Sequence, residues 1–189
     1  MSLTAKSPIR NNIFKQLMTI HWWMALLYLV LFATGIPLEK VQKSITLHDI
    51  LIAAHKSFGI LVLILLIWRL LLLIKVWGRK YLKHLPQFTR RWYFKTGLHT
   101  FLYLMMLVVP LSGYWLSNAF QAHNTSMFGL PMPDIFPAND DVVSDAATAH
   151  GITSKIFQFL IFVHAIAQYK VIKANWHRLT DWIEKLIAK

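Results

Sequence analysis

The sequence predicts an all-α integral membrane protein, a bundle of four helices that each cross the bilayer. Its 189 residues are 56% hydrophobic and only 15% charged, with a mean hydropathy of +0.46. Soluble domains contain about 45–50% apolar and about 25% charged residues, so both values are shifted towards a membrane protein. Four long apolar segments and an alternating distribution of basic residues point the same way. The composition argues against both a soluble enzyme and a disordered chain.

The four spans are predicted at residues 16–38, 50–74, 96–117 and 148–169. The first has no formal charge and exceeds the roughly 20 residues that cross a bilayer. Its flank lacks the cleavage site of a signal peptide, so we interpret it as a true span. Lys56 and Arg69 interrupt the second span, Pro110 and Gly113 lie in the third, and Lys155 lies near the start of the fourth.

Basic residues concentrate in three alternate segments of the chain, which together hold 15 of its 20 lysines and arginines. These are Lys6, Arg10 and Lys15, then Lys75, Arg79, Lys80, Lys83, Arg90, Arg91 and Lys95, and finally Lys170, Lys173, Arg178, Lys185 and Lys189. The other two linkers combine two lysines with six acids: Lys40, Lys43, Glu39, Asp49, Asp134, Asp140, Asp141 and Asp145. This alternation follows the positive-inside rule and is not a nucleic-acid footprint. It predicts a multi-pass membrane protein, surrounded by lipid, with both termini cytoplasmic.

The remaining segments fit a single domain over residues 1–189. The only long exterior linker, residues 118–147, carries the sequence FGLPMP at residues 128–133. We expect little regular secondary structure there, and a linker that lies back on the mouth of the bundle as a partial lid. The tail, residues 171–189, is predicted to be an amphipathic helix along the cytoplasmic interface, with Trp176 and Trp182 among its residues.

The chain contains no cysteine but nine histidines. Disulfides, thiolate zinc sites, cysteine-ligated iron–sulfur clusters and covalently attached haem are therefore excluded. Any resident metal must be held by oxygen ligands, methionine or imidazole, and imidazole is the favoured donor.

Four histidines lie within the predicted spans: His21, His55, His150 and His164. The fourth span carries two of them 14 residues apart, which returns to within about 40° of the same helix face after a rise of about 21 Å. Each then has a partner at its own depth, His21 for His164 and His55 for His150. Two stacked bis-imidazole sites in a four-helix bundle predict two b-type haems. Interfacial hydrogen bonding and a thin zinc site are the alternatives.

An ordered set of short motifs carries a family resemblance across residues 13–170. The motifs are I-H-W at residues 20–22, H-x-S-x-G at 55–59, W-R-L at 68–70, His99-x3-Tyr103-x6-Pro110, FGLPMP, and the pair His150 and His164. The chain resembles the bacterial cytochrome b561 family of small diheme, quinone-linked membrane proteins, one of which is a superoxide oxidase. The resemblance implies two noncovalent haem b groups, one held by His21 and His164 on the cytoplasmic side and the other by His55 and His150 on the exterior side.

Other residues are candidates for contacts with these cofactors. Gly59 lies one turn after His55 and would leave room for a macrocycle, whereas Gly113 fits either that role or helix packing. Lys56, Arg69 and Lys155 could meet haem propionates, or extend to the lipid headgroups. His99 and Tyr103 share a face of the third span and are candidates for a quinone or propionate contact.

The expected function is electron transfer through two haems between a quinone pool and a second redox partner. The resemblance favours superoxide as the donor at the periplasmic face and ubiquinone as the acceptor, with Arg69, His99 and Tyr103 at the quinone. Quinone beside the exterior haem, under FGLPMP, is the alternative. The four aspartates of the exterior linker oppose the steering of an anion such as superoxide. Two alternatives therefore stay open: a cytochrome b subunit for a hydrogenase or dehydrogenase, and a haem-free bundle that transports zinc or protons. The choice between an oxidoreductase and a pure electron carrier also stays open.

Overall fold

Five helices account for most of the protein in a computed structural model that describes residues 8–38, 46–81 and 88–187. They are α1 (Pro8–Leu38), α2 (Thr46–Tyr81), α3 (Arg90–Phe120), α4 (Val143–Ala167) and α5 (Tyr169–Ile187). Of the charged residues in the sequence pattern, Lys6, Glu39, Lys40, Lys43, Lys83 and Lys189 lie outside the described residues.

The first four helices are long and apolar enough to cross a membrane. The spanning segments are Asn12–Leu38, Thr46–Val76, Arg90–Phe120 and Asp140–Ala167, with mean hydropathies of 1.7, 2.7, 1.5 and 1.2. Large apolar side chains point outward from them, including Leu29 and Phe162, each 63% exposed. Such outward apolar surface is the surface that lipid covers in a membrane protein. The predicted all-α, four-helix membrane bundle is confirmed.

The bundle consists of two helix hairpins, α1 with α2 and α3 with α4, which meet where α2 packs on α3. Among the described residues, no Cα atom of α4 comes within 8 Å of a Cα atom of α1 or α2. A gap therefore separates α4 from the first hairpin. Side chains bridge this gap at mid-height, where the rings of Tyr28 and Phe157 meet edge to face with centroids 4.9 Å apart.

The buried core lies at the mid-height of the bundle. It comprises Met24, Leu27, Tyr28, Val62, Leu66, Leu102 and Phe157. Phe157 is 1% exposed and Val62 equally so, although they come from opposite sides of the gap. Apolar burial therefore joins the two hairpins at their middle and leaves half-buried polar side chains above and below.

The fourth helix differs from the predicted span at both of its ends. It begins at Val143, after a short 3-10 helix at Asp140–Val142, and ends at Ala167. Gln168 leaves helical geometry (φ −106°, ψ 13°), while its N–H still donates to the His164 carbonyl. The chain turns here into α5, which exposes Ile172 and Trp176. The predicted tail helix is present, and its placement along the membrane interface stays a prediction.

The linker between α3 and α4 contains a small β-hairpin that the sequence analysis did not predict. Strands β1 (Ser126–Met127) and β2 (Leu130–Pro131) pair antiparallel. Phe128 and Gly129 connect them with φ values of 51° and 85°, so both residues of the two-residue turn are left-handed. This is the type I′ geometry, which glycine favours and which suits the twist of paired strands.

The hairpin lies against the start of α2, as expected for a partial lid. Phe128 N–H donates to Ser57 Oγ at 2.9 Å, and the rings of Phe58 and Phe128 are 5.4 Å apart. We call this end of the bundle, where the β-hairpin lies, the hairpin end. The opposite end, where α1 begins and α4 finishes, is the terminal end.

Candidate functional site: two histidine pairs

The hairpin end contains the first predicted pair, His55 on α2 and His150 on α4. Their ring centroids are 6.2 Å apart and the rings are inclined at 80°. Because these helices have no close backbone approach, only the side chains meet here, with the two rings nearly perpendicular across the gap. We call them the hairpin-end pair.

The terminal end contains the second predicted pair, His21 on α1 and His164 on α4, which we call the terminal-end pair. Their centroids are also 6.2 Å apart, with the rings inclined at 85°. A metal–imidazole nitrogen bond is about 2 Å long and a ring nitrogen lies about 1 Å from its ring centre, so trans imidazoles on one metal ion have centres about 6 Å apart. Both pairs have this spacing.

Hydroxyl groups hold the second nitrogen of both hairpin-end rings. Thr34 Oγ1 donates to the Val30 carbonyl at 2.9 Å, so its lone pair accepts from the Nδ1–H of His55 at 3.1 Å. Ser112 Oγ donates to the Val109 carbonyl at 2.9 Å and accepts from the Nδ1–H of His150 at 3.1 Å. With the proton on Nδ1, each ring keeps the lone pair of Nε2 for a metal ion.

Glycines lie directly against the same two rings. A Cβ on Gly35 would stand 2.8 Å from Cε1 of His55, and one on Gly113 would stand 3.0 Å from Cε1 of His150. Gly113 therefore packs against a histidine ring, and Gly35, which the sequence analysis did not select, does the same. Gly59, which it did select, has no atom within 4 Å of a Cβ position among the described residues. This open space is compatible with its predicted role.

The terminal-end pair has a different set of neighbours. The ring of His99 lies edge to face with His164 at 5.3 Å, and its Nδ1–H donates to the Lys95 carbonyl at 2.7 Å. Arg69 Nε donates to Tyr103 Oη at 2.9 Å. Among the described residues, Arg69 Nη1 and His164 Nδ1 are buried without a hydrogen-bond partner. The structure thus brings all three predicted quinone-site residues to this level.

The lysine next to the hairpin-end pair is engaged by the lid. Lys56 Nζ donates to the carbonyl of Asn124, in the linker, at 3.0 Å. This contact ties the start of α2 to the linker. It gives Lys56 a protein partner, and a contact of Lys56 with a haem propionate stays a prediction.

These residues fit haem better than they fit zinc. Each level offers two imidazoles at the spacing of trans ligands, across a gap in which helix backbones stay apart. At the terminal end, the orphaned Arg69 Nη1 is a donor suited to an anionic group such as a propionate. In the described part of the chain, no cluster of three or more His, Asp or Glu side chains could hold a metal ion. A structural zinc site needs four ligands, and a catalytic one needs three.

Sequence reasoning missed Thr34, Gly35 and Ser112. The available signal was the dipeptide of a hydroxyl residue followed by glycine, which occurs at Thr34-Gly35 in the first span and at Ser112-Gly113 in the third. The same dipeptide at Thr96-Gly97 has no ring against its glycine among the described residues, so the signal is not specific. Thr34-Gly35 lies on α1, directly before α2 with His55, and Ser112-Gly113 lies on α3, directly before α4 with His150.

Comparison with known proteins agrees with the geometry. No curated protein matches the chain. The family model of prokaryotic cytochrome b561 matches residues 15–178, which include both histidine pairs and all four spans. The chain therefore belongs to the prokaryotic cytochrome b561 family, whose members hold b-type haem and transfer electrons within bacterial membranes.

Proposed function

We propose that the protein binds two b-type haems and conducts electrons from a donor at the hairpin end to a quinone at the terminal end. The observation that carries this proposal is the 6.2 Å separation of paired imidazoles at both ends of the bundle. His55 and His150 would hold one haem, and His21 and His164 the other.

Bound haem supplies a one-electron carrier at each level. The four histidines would hold these groups from opposite sides of the gap, one pair at each level. Thr34 and Ser112 orient two of the four imidazoles through their Nδ1–H groups. Between the levels, Tyr28 and Phe157 close the gap with apolar bulk and exclude water from the interior.

The charge pattern supports an orientation with the terminal end in the cytoplasm and the hairpin end in the periplasm of a bacterial inner membrane. Exposed acids at the hairpin end include Asp140, Asp141 and Asp145. Among the described residues, the helix ends opposite them carry the basic side chains Lys75, Arg90 and Lys95.

Ubiquinone is the proposed acceptor, at Arg69, His99 and Tyr103. The buried Nη1 of Arg69 could donate to a quinone carbonyl, while its Nε is held by Tyr103. An open apolar groove of about 290 Å³ lies beside this level, with Phe94, Gly97, Phe101 and Leu160 in its lining. A groove of this character suits an isoprenoid tail that approaches from the bilayer. Quinone under the hairpin remains the alternative site.

Superoxide is the proposed donor at the periplasmic end. Two superoxide anions lose one electron each to become dioxygen, and one ubiquinone takes up two electrons and two protons to become ubiquinol. A second candidate, a redox protein as donor, is favoured by the acidic side chains at that end, which repel an anion and attract a basic protein surface.

The two donors are distinguished in vesicles that hold the purified holoprotein with its hairpin end outward. If superoxide is the donor, superoxide generated outside reduces the haems, and added superoxide dismutase abolishes this reduction. If the haems stay oxidised while dithionite reduces them, superoxide is not the donor and the second candidate stands.

The quinone site is tested in the same vesicles with Arg69→Gln. With ubiquinone present, we expect reduction of the hairpin-end haem by the donor to be unchanged and reoxidation by quinone to slow at least tenfold. The matched control is Lys56→Gln, which removes a cation at the opposite end and should leave reoxidation by quinone unchanged. Unchanged reoxidation in Arg69→Gln would move the quinone away from the terminal end.

A further inference from the structure

The two histidine pairs differ in what holds the second nitrogen of each ring. At the hairpin end, His55 Nδ1 meets the Thr34 hydroxyl, and His150 Nδ1 meets both the Ser112 hydroxyl and the Val109 carbonyl at 3.1 Å. At the terminal end, His164 Nδ1 is buried without a hydrogen-bond partner among the described residues.

This difference bears on the electronic properties of the ligands. A hydrogen bond accepted from Nδ1–H makes the opposite nitrogen a more basic ligand, which favours the higher oxidation state of a bound metal ion. Second-shell hydrogen bonding is one of the means by which a protein sets a haem potential. The hairpin-end pair has these bonds on both rings, whereas the terminal-end pair lacks one on His164.

Fixed charge acts in the same direction at the terminal end. Arg69 lies close enough to His21 and His164 to interact electrostatically with both rings. A positive charge favours the reduced form of a nearby carrier, since reduction adds an electron. Lys56 is the corresponding cation at the hairpin end, but its Nζ lies at the Asn124 carbonyl of the linker, whose four aspartates oppose its positive charge.

We propose that Thr34 and Ser112 are positioning residues that make the hairpin-end haem the lower-potential carrier of the two. This rests on the proposed two-haem function and assigns it a direction. An electron that enters at the hairpin end then moves to a higher potential at the terminal end. The hydroxyl–glycine dipeptides achieve this with two adjacent residues, because the glycine admits the ring and the hydroxyl fixes its tautomer.

Each hairpin-end ring also has a backbone carbonyl beside it, that of Leu31 for His55 and that of Val109 for His150. The hydroxyl is the partner that a side-chain substitution can remove. Thr34→Val and Ser112→Ala should therefore both raise the potential of the hairpin-end component. Thr34→Ser retains the hydroxyl and should restore the wild-type value.

Spectroscopic redox titration of the purified holoprotein tests this inference. The hairpin-end component is identified as the one lost in His55→Ala, and we expect it to titrate at the lower potential. Thr34→Val should change its reduced-to-oxidised ratio about tenfold at a fixed potential, an upward shift of about 59 mV for a one-electron couple. The terminal-end component is the internal control and should not move.

Each outcome has a distinct meaning. Equal shifts of both components, no shift in Thr34→Val, or a hairpin-end component at the higher potential would overturn the inference while leaving the two-haem function intact. A preparation with no haem component would instead remove the proposed function itself.

Discussion

The close approach of Gly35 and His55 shows how one missing side chain can determine a cofactor site. The imidazole occupies the space where a Cβ would lie, at 2.8 Å from Cε1, and Thr34 then holds the ring from the same turn of α1. A larger residue would displace the ring, because heavy atoms in contact do not approach so closely.

Gly35→Ala should therefore remove or perturb the hairpin-end haem. Gly113→Ala, with its 3.0 Å approach to His150, should have a smaller effect in the same direction. The measurement is the b-type absorbance per purified chain. Gly151→Ala is the control, since a Cβ there meets no atom within 4 Å among the described residues. Both haems bound normally in Gly35→Ala would contradict this account of the ring.

The four histidines could be predicted from the sequence because a costly ionisable residue in a span is conspicuous, and because 14 residues is nearly a whole number of helical turns. Thr34, Gly35 and Ser112 could not be predicted in the same way. Small and hydroxyl residues are common in membrane helices, and only the contact with a ring of another helix distinguishes these three.

At the scale of the helices, one spacing recurs in all four spans. Residues 14 apart on each helix reach the two levels: His21 and Gly35, His55 and Arg69, His99 and Gly113, His150 and His164. The residues halfway between them, Tyr28, Val62, Met106 and Phe157, belong to or pack against the core. Each helix thus presents one face to both sites, with the apolar core about 10 Å from each level.

This arrangement predicts which histidines serve the same haem. His21→Ala and His164→Ala should each remove the same spectral component, and His55→Ala and His150→Ala the other. His99→Ala is the comparison at the terminal end, and it should retain both components. If His21→Ala and His55→Ala removed the same spectral component, the two-level arrangement would be wrong.

A single buried amide makes several of the hydrogen bonds that order the linker. Asn118 is fully buried, donates to Asp134 and Thr125, and accepts from the N–H groups of Ile135 and Phe136. Glycine and proline in FGLPMP indicate a turn, but these long-range bonds cannot be read from neighbouring residues. The sequence therefore predicts a loop at this place but not its hairpin.

Asn118→Leu should loosen the linker, because buried Thr125 and three partly buried groups lose a partner, at about 1–3 kcal/mol for a buried group. Proteolysis of the linker in the detergent-solubilised protein should be faster by several-fold to about a hundredfold. The control Gln121→Leu changes an exposed residue, and its linker should be cleaved at the wild-type rate. Equal cleavage rates in the two variants would show that Asn118 does not hold the linker.

For the molecule as a whole, the sequence was most informative about class and topology. Apolar length and the alternation of basic residues reflect whether lipid or water surrounds each segment and on which side of the membrane it lies. They can therefore be interpreted without knowing how the helices pack. The break at Gln168 lies close to the predicted boundary between the fourth span and the tail helix, whereas the gap beside α4 depends on how helices meet, and the sequence did not reveal it.

The orientation can be tested directly because the chain has no cysteine. Single cysteines at two exposed positions, Ala122→Cys in the linker and Ala174→Cys in α5, should differ in intact cells with a permeable outer membrane. We expect a membrane-impermeant maleimide to label the first and not the second until the cells are lysed. The reverse pattern would invert the proposed topology.

The most direct test of the central claim is the number of haems per chain. Pyridine haemochrome assay of the purified protein, set against its concentration from amino-acid analysis, should give two noncovalent haem b groups per chain, and one in His55→Ala. A ratio of one in the wild-type protein would mean that only one of the 6.2 Å histidine pairs binds haem, and it would contradict electron transfer across two levels.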